Sequence, residues 1–148
     1  MPGLLIDAMQ RFNYLAHEID AAYHDAAQKM GFSDSAMMIL YAVCTNGTEC
    51  PLQEITDRSG VSKQTINSAL RKLEAEGIVT LAGLGQAGRK KKVCLTDDGK
   101  AAVQNTLLRM IQIENEILGA WSAQEQAQYL DLTQRYLTAF RTRTEEEL

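Results

Sequence analysis

The stretch LQEITDRSGVSKQTINSALRKLEAEG, residues 52–77, decides how the rest of the chain is read. It reads as two helices joined by a tight turn. Leu52 and Ile55 make a short apolar face. Gly60 breaks the pattern where a left-handed backbone residue is useful. Ser62 is placed to cap a second helix. Ile66, Leu70 and Leu73 then recur at spacings of four and three, which makes one buried stripe. Ala69 beside that stripe is small enough to admit a neighbouring helix. The opposite face carries Lys63, Gln64, Thr65, Asn67, Ser68, Arg71 and Lys72, and the helix's only acids, Glu74 and Glu76, come late. A polar, cationic N-terminal half suits a helix that enters a DNA major groove. A solvated helix face fits this stretch alone equally well.

Charge along the chain separates the two readings. The formal net charge of −4 argues against nucleic acid at first sight. Residues 1–57 hold two basic and eight acidic side chains, net −6; residues 58–92 hold eight and two, net +6; residues 93–148 hold five and nine, net −4. All the surplus positive charge therefore lies in the second helix and the segment just after it. Salt screens charges beyond about 8–10 Å, so a local patch binds phosphate whatever the total.

Beyond Gly77 the period changes. Residues 78–81 (IVTL) and 93–96 (VCLT) are β-prone runs. Between them AGLGQAGRKKK holds three glycines and four consecutive cations, Arg89, Lys90, Lys91 and Lys92. This predicts a β-hairpin with a long positive tip, suited to phosphates or a minor groove.

The flanks are helical. Residues 4–30 carry Leu5, Met9, Phe12, Ala16, Ile19, Tyr23, Ala26 and Met30 in alternating steps of four and three, a seam long enough to suggest a second chain. Gly31 stops it. Ser33 caps the next helix, which runs to Asn46-Gly47, and NGTEC, residues 46–50, reads as a loop. Pro51 stands at the entrance to the helix–turn–helix, where its missing N–H costs nothing. Thr96, with Asp97 and Asp98, starts one helix that carries Val103, Leu107, Met110, Ile113 and Ile117 to Gly119. Ser122 caps a last helix to about Arg143, with a wide apolar arc and a frayed EEEL end.

A helix–turn–helix followed by a basic hairpin is a winged helix. Flanked by long terminal helices, it resembles the MarR family of bacterial transcription regulators. The run GVSKQTINSALRKLEAEGIV and the wing exit RKKKVCLTDDG carry the resemblance. It implies a mainly α fold with a small β-hairpin wing. Residues 32–97 would be the DNA-binding domain, and residues 1–31 and 98–148 a helical dimerisation region. It also implies a cytoplasmic homodimer and a pseudo-palindromic operator with half-sites about 10 bp apart. Carried over by position, Ser62, Lys63, Gln64, Thr65, Asn67 and Ser68 read bases and grip phosphates, with Arg71 and Lys72 nearer the backbone. Arg89 takes the place of the wing arginine, with Lys90, Lys91 and Lys92 beside it. Ala87 stands where the family commonly has an aspartate, and Ser68 where many members have arginine.

The expected role is a regulator, a repressor first and an activator as the other sign of the same device, whose DNA affinity is altered by a small aromatic or carboxylate effector wedged between dimer helices and winged domain. Gly31 and Gly119 are its candidate pivots. The alternative is a winged-helix module that binds protein through the same surface. An enzyme is a distant third. His17 and His24 lie seven apart, not the four of a helical metal pair. Cys44, Cys50 and Cys94 form no metal-ligand spacing, and an odd count without a secretion signal fits a reducing cytoplasm. No cofactor or metal is expected. No run approaches the roughly 20 apolar residues of a membrane span.

Overall fold

Ile66, Leu70 and Leu73 are each no more than 3% exposed, as the stripe on residues 63–75 requires. The computed structural model describes residues 3–83 and 91–148. Its elements are α1 (Gly3–Met30), α2 (Asp34–Thr45), β1 (Glu49–Pro51), α3 (Leu52–Ser59), α4 (Lys63–Ala75), β2 (Val79–Ala82), β3 (Lys92–Leu95), α5 (Asp97–Gln104), α6 (Leu107–Gly119) and α7 (Ala123–Glu147). By contacts the chain forms two compact units, one ending at Met110 and one spanning Ile111–Leu148.

The first unit is built on α2 and α4, which pack against each other. Ile39, Leu40 and Val43 of α2 are fully buried with Ile66 of α4; Ile55 of α3, Val79 of β2 and Val103 of α5 are 1% exposed. Burying each such side chain stabilises the fold by about 1.5–3 kcal/mol. The turn between α3 and α4 is held by Gly60, whose φ of 68° lies in the left-handed region that glycine adopts without strain. Ser33 caps α2 by accepting from the Ala36 amide at 3.1 Å.

The wing is a three-stranded antiparallel sheet, ordered β1-β3-β2, rather than a hairpin alone. Cys50 and Leu81 both pair with Val93, from opposite sides of β3. Residues 49 and 50 of the expected loop are thus a strand. Its signal is faint because only Cys50 points inward, between exposed Glu49 and half-buried Pro51. Proline is tolerated there because β1 is an edge strand.

Two helix boundaries also differ from the sequence reading. The helix from Asp97 breaks after Gln104 and restarts at Leu107. The Thr106 hydroxyl donates to the Ala102 carbonyl at 2.7 Å, and the Thr106 amide reaches Val103 at 3.3 Å. Such back-bonding competes with the regular ladder. At the other end α7 runs on to Glu147, where Arg143 Nε donates to Glu147 Oε2 at 2.8 Å, one turn along. Ser122 and Glu125 form a reciprocal capping box at its start. The Ser122 amide, donating to the Glu125 carboxylate, holds that carboxyl below its ordinary value.

Apolar side chains lie open in both units. In α1, Phe12 is 42% exposed, Leu15 46% and Ile19 50%. In α7 no residue is buried, and Leu130, Leu132 and Phe140 are all more than half exposed.

The junction after β3 explains the Leu-Thr-x-x-Gly sequence. Thr96 Oγ1 donates to the Gly77 carbonyl at 2.5 Å and accepts from the Gly99 amide at 2.9 Å. A Cβ on residue 99 would stand 2.0 Å from the Ile78 carbonyl oxygen. Gly99→Ala is therefore expected to destabilise the protein by more than about 2 kcal/mol. Urea unfolding checks this, and an unchanged midpoint contradicts it.

Candidate nucleic-acid interface

Helix α4 presents its sides in a fixed order, because each residue advances about 100° around the axis. Ile66, Leu70 and Leu73 face the core. Gln64, Ser68 and Arg71 therefore form the outward crest. Lys63 and Asn67 lie on one flank, Thr65 and Lys72 on the other. All eight residues expected to contact DNA between 62 and 72 are exposed.

Two of them already have work. Ser62 Oγ accepts from the Thr65 amide at 3.1 Å and meets Thr65 Oγ1 at 2.9 Å. Both hydroxyls are thus part of the N-cap that starts the helix. By contrast, the Lys63, Gln64, Asn67, Ser68, Arg71 and Lys72 side chains make no hydrogen bond or ion pair among the described residues. They stand open to a ligand.

Of the wing cations, Arg89 and Lys90 lie outside the described residues. Lys91 is exposed and lines a cleft of about 270 Å³ together with Lys63 and Asn67 of α4 and Leu52, Gln53 and Thr56 of α3. A backbone bond from the Leu52 amide to the Lys91 carbonyl, 2.9 Å, ties the start of α3 to the residue just before β3. Lys92 is placed differently: its Nζ donates to Glu49 Oε1 at 3.2 Å across the β1–β3 ladder. An exposed pair of this kind contributes little to stability, but it partly occupies a cation counted in the basic run. Arg58 is likewise paired with Glu54.

On the other flank of α4 an open groove of about 460 Å³ is lined by Ser33, Ser35, Gln64, Thr65, Ser68, Ala69 and Lys72. Gln53, Thr56 and Ser35 carry no mark in the sequence, and Ser33 is legible there only as a helix cap. Their signal is only spatial: α2 and α3 bring small polar side chains against a helix distant in the chain.

The order of elements is that of a winged helix, and a profile of the MarR family matches residues 30–90. The winged helix-turn-helix of this chain belongs to the MarR family. Solved structures agree over more of the chain. A MarR family regulator from Neisseria meningitidis superimposes with a TM-score of 0.76 at 16% identity, over 95% of this chain and 97% of that one. The PcaV transcriptional regulator from Streptomyces coelicolor, solved with its natural ligand, gives 0.62 at 22% identity, over 86% and 92%. An organohalide-sensing regulator in its 2,4-dichlorophenol-bound form gives 0.60 at 13% identity, over 95% and 81%. At these identities the likeness is one of fold. None of the curated proteins matches the sequence.

The remaining chemistry of the chain is modest. Among the described residues no three His, Cys, Asp or Glu side chains gather into a metal site. No described helix is long and apolar enough to cross a membrane. His24 Nδ1 lies 2.9 Å from each Asp34 carboxylate oxygen. The three cysteines are free. Burial pushes all three thiols above the ordinary value of 9.0. For Cys94 the Glu49 carboxylate adds to this; for Cys50 a hydrogen bond from Asn46 works the other way and Glu54 works with burial. A raised thiol keeps its proton, so the reactive thiolate is scarce at neutral pH. A thiolate-selective reagent at pH 8 is expected to label the native protein more slowly than the urea-unfolded chain. A fast phase in the native protein contradicts this and reopens oxidant sensing.

Proposed function

We propose that the chain is a cytoplasmic, homodimeric, sequence-specific DNA-binding regulator, acting as a repressor at a pseudo-palindromic operator. The observation that carries this reading is the open face of α4, which holds no acid before Glu74 and belongs to a MarR-family winged helix. Gln64, Ser68 and Arg71 on the crest read base edges, while Lys63, Asn67, Lys72 and Lys91 hold phosphates. Arg89 and Lys90, with Lys92 beside them, extend the contact to the next groove.

The dimer is argued from apolar surface. Large apolar side chains stand exposed on both α1 and α7, Phe12, Ile19, Leu130 and Phe140 among them, and a run of such residues marks a surface that a partner covers. A second copy that covers them places two α4 helices on successive major grooves of one duplex. Residues 1–31 and 98–148 then serve dimerisation and residues 32–97 serve DNA. Ligand control is supported by relatives solved with PcaV's natural ligand and with 2,4-dichlorophenol. A small aromatic or carboxylate effector acts here by favouring a spacing of the two α4 helices that no longer fits the duplex.

Salt dependence tests the DNA reading. The logarithm of operator affinity is expected to fall with the logarithm of salt concentration, with a slope of about −0.9 per phosphate contact. Arg89→Ala is expected to weaken binding by about 1–3 kcal/mol with folding intact. A flat salt response, or a purified protein that sediments as a monomer, contradicts the reading.

A further inference from the structure

The two recesses beside α4 differ in a way that assigns them different strands. An α-helix with its side chains is about 10–12 Å across, and the major groove is about 12 Å wide. A helix seated there brings each flank against one phosphate strand. One flank of α4 opens on the cleft shared with α3 and Lys91. The other opens on the groove shared with the start of α2. We propose that this second groove, between Ser33 and Ser35 at the start of α2 and Thr65 and Lys72 of α4, seats a phosphate of the opposite strand, so that the recognition helix is clamped from both sides. The assignment rests on the DNA-binding reading above. It adds two residues from outside the helix–turn–helix and the wing.

The lining is suited to a phosphodiester. It offers hydroxyls from α2 and α4 and one ammonium, and it contains no carboxylate. Lys72 supplies the charge and makes no ion pair among the described residues. Ser33 Oγ accepts from the Ala36 amide, which leaves its O–H free to donate outward. Ser35 is half-buried and fixed on the first turn of α2.

Two acids border this seat without lining it: Glu76, which shares an adjoining recess with Ser33 and Lys72, and Asp34, which lies between the two serines in sequence. The two Asp34 carboxylate oxygens each lie 2.9 Å from His24 Nδ1 of α1. Nδ1 must carry a proton to hold them. His24 is thus a positioning residue: it engages the carboxylate that would otherwise repel a phosphate beside Ser33 and Ser35. Through this contact α1, a helix assigned to dimerisation, reaches the edge of the DNA surface.

Fluorescence anisotropy with full-length protein and an operator duplex tests this, with the melting temperature of each variant as the folding control. Lys72→Gln is expected to reduce the salt slope by about 0.9. Ser35→Ala is expected to weaken binding about three- to tenfold without changing the slope, and Ser35→Glu to weaken it further. His24→Ala is expected to weaken binding, and adding Asp34→Asn to restore it. A merely structural role for His24 gives no such restoration. If Lys63→Gln lowers the salt slope while Lys72→Gln, Ser35→Ala and His24→Ala all bind as the wild type, the second seat is refuted and the DNA reading stands. If the wild type shows no salt-dependent binding to any duplex, the DNA reading fails and the seat with it.

Discussion

Burial of one stripe of α4 fixes the direction of everything the helix displays. Ile66, Leu70 and Leu73 must face the interior that α2 fills with Ile39, Leu40 and Val43. A helix has no freedom to rotate once such a stripe is buried, so Gln64, Ser68 and Arg71 must face outward. The Ser62–Thr65 cap fixes where the helix begins, and Gly60 lets the chain turn tightly enough to bring α3 alongside. The candidate interface is therefore a by-product of core packing. Substitutions within the stripe alter the surface face as surely as substitutions on it.

The electrostatic arrangement depends on that same separation. Acids are numerous in this protein, and four beside the interface are occupied: Glu54 by Arg58, Asp57 by Gln53, Glu49 by Lys92 and Asp34 by His24. Each contact is exposed or nearly so and adds little to stability. Their consequence is local. Among the described residues they leave Lys63, Arg71, Lys72 and Lys91 as open cations around α4, and they draw Lys92 partly out of the basic run.

Much of this was legible in the sequence, and for identifiable reasons. Period and capping are local signals, so α1, α2, α4 and the cap residues Ser33, Ser62, Thr96 and Ser122 could be read from the chain alone. The MarR resemblance rested on the same run. What escaped is either non-local or turns on a single side chain. Strand β1 has a single inward residue, and its pairing with β3 depends on residues more than forty positions away. The break at Asn105 turns on one threonine hydroxyl that competes with the helix ladder. The end of α7 holds because Arg143 meets Glu147, where composition alone suggested fraying. Ser35, Gln53 and Thr56 carry no distinguishing pattern, and only the packing of α2 and α3 brings them, with the cap residue Ser33, beside α4.

The central claim is that two copies of the α4 face meet one duplex in register. Selection of bound duplexes from a random pool tests it most directly. The account predicts enrichment of a two-fold symmetric site whose half-sites lie about 10 bp apart. Recovery of no common sequence, or of a single unsymmetrical half-site bound by one copy, would contradict it.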